Sequence, residues 1–356
     1  NITVIDRQTR FGYFAWPTVA RLNDGRLIVV CSGFRMRHVC PFGKVTAFYS
    51  SDEGESWSAP AVLSDTALDA RDAGIAVLDD CVLTTTFTAS RAVQKKYLDA
   101  WYRTPALEKE NAFIERYLDT VDDRTEAEQS GTFIMTWDGT RTGRWERAPF
   151  GLSAPHGPFR LQDGDAMYIG EKRGFGADEA AGPIVCARRS RDGVWTQLGT
   201  IPCPDNGLRY CEPHGVQLSD GRIVAHLRAQ SDEEFSVWQS VSDDGGKTFS
   251  PPKRILADGA PPHLLLHSSG ALVCAYANRT LPGAGPRAAV STDGGKSWDR
   301  RIVLRSDAAG GDIGYASSVE LRDGSVLTVF YYTDRKGQDK TAIESVVWRL
   351  DEAKPI

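Results

Sequence analysis

The chain has 356 residues, 41% of them hydrophobic and 25% charged, and a formal net charge of −5. An acidic balance argues against nucleic acid or an anionic membrane as the main partner, and no apolar run reaches the roughly 18 to 20 residues of a membrane-spanning helix. The seven cysteines include no Cys-x-x-Cys pair and no zinc-like spacing, so neither a metal nor a cofactor is expected. Cys31, Cys81 and Cys274 fall inside apolar runs, a pattern that leans towards reduced thiols and a cytoplasmic location; a secreted form whose leader preceded Asn1 is the alternative.

In chain order, an apolar run breaks six times at an Asp-Gly-like turn and resumes as a second apolar run. Val19–Leu22 turns at Asp24-Gly25 into Leu27–Val30, Ile75–Leu78 at Asp79-Asp80 into Val82–Thr86, and Phe159–Leu161 at Asp163-Gly164 into Ala166–Ile169. Val216–Leu218 then turns at Asp220-Gly221, Leu264–Leu266 at Ser269-Gly270, and Val319–Leu321 at Asp323-Gly324. Each unit reads as a β-hairpin, and a period of roughly 40 to 60 residues without regular helices predicts a β-propeller. A second repeat follows three of the hairpins, namely Ser50-x-Asp52-x-Gly54-x-x-Trp57, Ser242-x-Asp244-x-Gly246-x-x-Phe249 and Ser291-x-Asp293-x-Gly295-x-x-Trp298. These are Asp boxes, in which Ser and Asp bind the amides of a tight turn and the aromatic residue packs back on the blade. Worn copies fall near Thr136–Trp145 and Ser190–Trp195. The expected fold is therefore all-β, a six-bladed propeller that makes residues 1–356 one domain. Residues 91–130 interrupt blade 2. They are charged and helix-prone, with Tyr97, Trp101, Phe113, Ile114, Tyr117 and Leu118 at roughly helical spacing, and an insertion of this size is more often functional than idle.

In each hairpin the Asp-Gly turn marks one end, so residues before the first strand and after the second gather at the other. Counting nine back from the turn glycine, or from Cys81 in its place, gives Trp16, Asp72, Pro155, Glu212, Pro261 and Tyr315. Arg71, His156, His214, His263 and Asp312 stand beside them, and Arg35 and His38 follow the first hairpin. Ionisable groups converging on the mouth of an axial channel are the default site. The insertion leaves from the same face, which makes it a wall or lid.

Asp boxes on six blades, with Glu and Tyr at equivalent positions of different blades, resemble the sialidase (neuraminidase) superfamily over essentially the whole chain outside the insertion. The sharpest part is Glu212-Pro213-x-x-Val216-x-Leu218-x-Asp220-Gly221-x-Ile223 ending in Arg228; the second is Tyr315-x-Ser317-x-x-x-Leu321-x-x-Gly324. The resemblance implies that Arg228 holds a sugar carboxylate, that Tyr315 is the nucleophile and that Glu212 polarises it. It also implies a further carboxylate-binding arginine, Arg287 or else Arg279. The chemistry agrees: guanidinium groups bind a carboxylate bidentately, and a tyrosine nucleophile avoids the repulsion that a carboxylate nucleophile would meet beside a sialic acid's own carboxylate. Tyr315 alone reads as a packed core aromatic; its pairing with Glu212 and Arg228 favours the functional role.

Three departures from the family pattern stand out. Its first arginine is replaced within Ala15-Trp16-Pro17, and the glutamate that supports that arginine is replaced by Tyr331, a joint loss expected where an isolated buried carboxylate would be costly. The acid/base Asp is absent, since Gly33 to Tyr49 holds no Asp or Glu, and His38 occupies its place. His38 is a candidate acid/base near neutral pH, competing with Asp72, whose place in the family often holds substrate, and after these with Asp312. The expected function is a sialidase-like exo-glycoside hydrolase acting on a glycan or small acidic sugar. The alternatives are an inverting hydrolase or lyase on uronate-containing glycans and a carbohydrate-binding propeller without catalysis.

Overall fold

The computed structural model describes residues 9–173, 182–333 and 340–355, and these form six antiparallel sheets arranged as the blades of a propeller. Blade 1 runs outward through Tyr13–Arg21, Leu27–Arg35, Lys44–Ser50 and Ala61–Ser64. Blade 2 has Ala70–Val77, Val82–Thr88, Gly131–Trp137 and Trp145–Arg147. In blade 3 the innermost strand is broken into Leu152–Ser153 and Phe159–Arg160, both paired with Ala166–Lys172. Blades 4, 5 and 6 begin at Arg209, His263 and Gly314, and Lys354–Pro355 adds to the outer edge of blade 5.

Every predicted hairpin supplies the two innermost strands of one blade. Those strands carry near-continuous apolar runs because a blade has neighbours on both faces. Leu27–Arg35 is buried almost throughout, whereas the outer strand Lys253–Leu256 is largely exposed. Apolar clusters fill the seams between blades: Ile28 and Val30 meet Ile75 and Val82 between blades 1 and 2, and Leu218 and Val224 meet Leu264 and Leu272 between blades 4 and 5. Each fully buried Val or Leu there contributes about 1.5–3 kcal/mol. Near the axis the packing is tight enough to exclude a side chain, since a Cβ on Gly74 would lie 2.3 Å from the Gly157 amide nitrogen. The ring closes between blades 6 and 1, where Phe14, Trp16 and Val29 pack on Val329, Tyr331 and Ile343. There the Phe14 amide donates to Thr341 O at 3.1 Å and the Thr341 hydroxyl donates to Phe14 O at 2.6 Å.

The Asp boxes form as their residue types require. Asp244 accepts from the Lys247 and Thr248 amides at 3.0 and 2.9 Å, and Ser242 Oγ accepts from the Gly246 amide. The worn copies keep part of this: Asp138 accepts from two amides of its turn, and the Ser190 hydroxyl donates to Asp192.

The interruption of blade 2 is helical and divides into α1 (Arg91–Tyr102), α2 (Glu108–Thr120) and α3 (Asp123–Gln129). Ser90 caps α1 and Asp122 caps α3 through side-chain acceptors, and Pro105 starts the short turn that separates α1 from α2. Leu98, Ile114 and Leu118 bury against Met36, Cys40 and Leu68 of the blade-1 loops, so part of the aromatic and apolar pattern serves packing alone. All seven cysteines are free thiols; burial pushes Cys31 up to about 12. No helix among the described residues is long and apolar enough to cross a membrane.

Candidate active site

A pocket of about 650 Å³ opens on the axis at the face opposite the Asp-Gly turns, with Tyr315 and Glu212 in its lining and α1 along one side. One backbone device aims Asp72, Glu212 and Tyr315 into it and sets Trp16 in the packing beside it. The residues nine before the hairpin glycine, or before Cys81 in blade 2, have left-handed φ in four blades: Trp16 55°, Asp72 48°, Glu212 48° and Tyr315 50°. Each sits at a register shift in the pairing of its first and second strands. A bulge there turns the residue out of the ladder and towards the axis, at a cost of about 1–3 kcal/mol for a residue other than glycine. In blades 3 and 5 the same position is Pro155 and Pro261, whose rings forbid positive φ and offer no ionisable group.

At the centre, Tyr315 Oη donates to Glu212 Oε1 at 2.5 Å, and Arg228 Nη1 donates to Glu212 Oε2 at 2.6 Å. Burial alone would raise the Glu212 carboxyl. The Arg228 charge and the hydrogen bonds from Tyr315 and Arg228 outweigh it, and Glu212 is held below its ordinary value. Tyr315 is pushed well above the usual phenol range by burial and by the charges of Glu212 and Asp72. The resting pair is therefore a neutral phenol donating to a carboxylate. The Arg279 guanidinium lies 5.6 Å from the Tyr315 ring centre.

Asp72 lines the same pocket and makes no hydrogen bond among the described residues. Burial, opposed by Arg71 and reinforced by Glu212, raises its carboxyl to about 7, so it keeps its proton to near neutrality. His38 occupies the wall nearest the insertion. Its Nδ1 lies 2.9 Å from Asp312 Oδ1 and 3.1 Å from Tyr13 Oη, and its ring lies 5.8 Å from that of Trp101. Asp312 also accepts from Tyr13 at 2.8 Å and from Tyr331 at 3.1 Å. Burial opposes its charge, but the His38 and Tyr13 hydrogen bonds and nearby Arg279 hold it far below the carboxylate range. Burial lowers His38 despite Asp312, with Arg71 and Arg35 adding to the effect. Neutral His38 thus points Nδ1–H at Asp312 and leaves Nε2 without a partner among the described residues.

Several sequence candidates stand elsewhere. Arg287 is in the third strand of blade 5, too far from the axis, with its guanidinium spent on the carbonyls of Gly283, Pro286 and Arg305. Arg279, its alternative, is in the lining. Arg35 is fully buried beneath the pocket, paired bidentately with Asp69 and lying 4.7 Å over the Trp16 ring, so it supports the floor. His156, His214 and His263 are buried along the axis, where His214 and His263 stack at 4.4 Å and His156 and His263 lie 4.9 Å apart. The Leu264 amide donates to His214 and the Ser318 amide to His263, and burial keeps all three neutral. They tie neighbouring blades together below the pocket. Arg71 is in the lining, stacked 4.5 Å over Trp16 and donating to His38 O.

Other lining residues escaped the sequence reading. Glu171 is buried and paired with Arg173 at 3.0 Å and Arg209 at 3.1 Å. Beside it Arg209 Nε, Arg228 Nε and Gln230 Oε1 are buried without hydrogen-bond partners among the described residues. Counting nine forward from the turn glycine of blades 3, 4 and 5 gives Arg173, Gln230 and Arg279, so the repeat that yielded the first-strand residues also held this signal in half of the blades. A second depression of about 700 Å³, near Ser90, Glu126 and Arg147, is more open and gathers no comparable set of groups.

Residues 156–328 match the family model of the BNR repeat-like domain. No curated protein matches the sequence. Among solved structures, a Dyadobacter fermentans protein of unknown function aligns over 99% of this chain and 97% of its own, at 18% identity and a TM-score of 0.74. The NanB sialidase of Streptococcus pneumoniae aligns over 99% of this chain and 71% of its own, at 13% identity and 0.68. The intramolecular trans-sialidase of Ruminococcus gnavus aligns over 99% and 98%, also at 13% and 0.68. At such identities the likeness is one of fold.

Proposed function

We propose that this BNR-repeat propeller, whose fold is that of the sialidases, is an exo-glycoside hydrolase that removes a terminal acidic sugar, sialic acid or a close relative, from glycans. The observation that carries the reading is the unbroken line Tyr315–Glu212–Arg228 at 2.5 and 2.6 Å on the pocket wall. Arg279 and Arg228 receive the sugar carboxylate. Tyr315 Oη attacks the anomeric carbon as its proton passes to Glu212, and the glycosidic bond breaks towards the leaving oxygen, which takes a proton from a pocket acid. Water then reverses the sequence and frees the sugar.

Two groups compete as that acid. Asp72 already holds a proton near neutral pH. His38 faces the insertion side, where a leaving group would extend along Trp101. One feature favours a second reading: a neutral imidazole oriented by Asp312 is also suited to act as a base on a uronate glycan, with water activation or elimination as the outcome. Turnover of aryl glycosides of sialic and uronic acids decides. Release of sialic acid, with a covalent sugar adduct on Tyr315 seen by mass spectrometry, supports the hydrolase. An unsaturated uronate, or no turnover of any aryl glycoside, overturns it.

A further inference from the structure

A histidine that protonates a leaving group must be charged when substrate is bound, yet His38 is neutral in the free pocket. The hydrogen bonds around it join it to the carboxylate-binding side. Arg279 Nη2 donates to Tyr331 Oη at 2.8 Å, Tyr331 Oη donates to Asp312 Oδ1 at 3.1 Å, and Asp312 Oδ1 lies 2.9 Å from His38 Nδ1. Arg279 Nε is anchored on Ile313 O at 3.0 Å, so the chain has a fixed end. Tyr13, donating to the other Asp312 oxygen at 2.8 Å, fixes the carboxylate plane.

We propose that Tyr331 is a positioning residue that makes Arg279, Asp312 and His38 one hydrogen-bonded unit, through which capture of a substrate's anion on Arg279 raises the proton affinity of His38. The proposal rests on the acidic-sugar reading and adds to it a coupling between recognition and proton supply. In the empty pocket the Arg279 charge helps stabilise the Asp312 carboxylate and, through it, draws negative charge away from the imidazole. An anion bound to Arg279 cancels that charge and turns more of the Asp312 field onto His38, which takes up a proton from solvent and presents Nε2–H to the leaving oxygen. The groups facing His38 are otherwise fixed. From blade 1 these are Tyr13, Trp16 and Arg35; from blade 2 Arg71, with Asp69 behind it; and from α1 Trp101, with Tyr102 beside it. Arg35 and Arg71 both donate to the His38 carbonyl and share Asp69, so neither is free to follow the substrate.

Histidine ring NMR on the whole protein, with His38→Gln identifying the signals, reads the His38 midpoint directly. Without ligand, Arg279→Gln is expected to move it up by about one pH unit, and Arg279→Lys, which keeps the charge, by much less. N-acetylneuraminic acid is expected to move the wild-type midpoint upward too. In Tyr331→Phe, where Asp312 has lost a donor, the midpoint starts higher and the acidic sugar adds markedly less. An unmoved midpoint in Arg279→Gln, or an undiminished ligand effect in Tyr331→Phe, overturns the link. If the sugar does not bind, the glycosidase reading falls, while the Arg279→Gln titration still decides whether the two sides are joined.

Discussion

On the proposed mechanism Tyr315 and Glu212 divide one task over 2.5 Å, because a phenol this buried loses its proton only as Glu212 gains it. Tyr315→Phe and Glu212→Gln should therefore each lower kcat on an aryl sialoside by about 10³-fold or more, and the double variant should be little worse than either; losses that multiply would make both residues binders. Asp72 has the opposite electrostatic character. Its folded carboxyl sits at about 7 against an ordinary 3.8, so between those values the folded protein retains a proton that the unfolded chain releases, and stability falls as pH rises through that window. Asp72→Asn removes the slope and should stabilise the protein above pH 7, by up to about 4 kcal/mol, as thermal unfolding across pH 4 to 9 would show. If Asp72 is the leaving-group acid, the same variant also loses the alkaline limb of kcat near pH 7 and is rescued by a good leaving group. At this scale the sequence carried Tyr315, Glu212, Asp72, Arg228 and His38 because they occupy repeat positions or flank a hairpin. It misplaced Arg287, His156, His214 and His263 because counting along a strand gives neither distance from the propeller axis nor depth along it.

Among the elements, the hairpins and Asp boxes were legible because both depend on local turn chemistry. The insertion was legible in its limits, and its division into three helices follows from the break at Pro105 and the Asp122 cap. Its side chains have two separable jobs. Leu118 is fully buried against Met36 and Cys40, whereas Trp101 lines the pocket and is 54% exposed. Leu118→Ala should cost about 2–5 kcal/mol of stability through the cavity it leaves. Trp101→Ala should leave thermal stability nearly unchanged and raise KM for an oligosaccharide about tenfold, roughly 1.4 kcal/mol, with a smaller effect on a compact aryl substrate. Equal losses on both substrates would reduce Trp101 to a packing residue.

Over the whole molecule, the seam between blades 6 and 1 joins the first blade of the chain to the last and also carries Ala15, Trp16 and Tyr331, which stand in the places of the expected arginine and glutamate. Thr341→Val removes the hydroxyl bond to Phe14 O and should lower stability by about 1 kcal/mol within a single cooperative transition, measured by denaturant unfolding; a separate early transition would show that blade 6 detaches alone. The bulged position that recurs in blades 1, 2, 4 and 6 bears on how such a protein acquires new specificities. Since the ladder distortion is the same under a tryptophan, an aspartate, a glutamate and a tyrosine, it does not depend on the side chain it presents. A duplicated blade inherits a socket already aimed at the axis, and an exchange of one residue rewrites that sector of the ligand contour while the other sectors stand. The contour of the pocket is in that sense modular by angle, and Pro155 and Pro261 mark the two sectors that present no ionisable group.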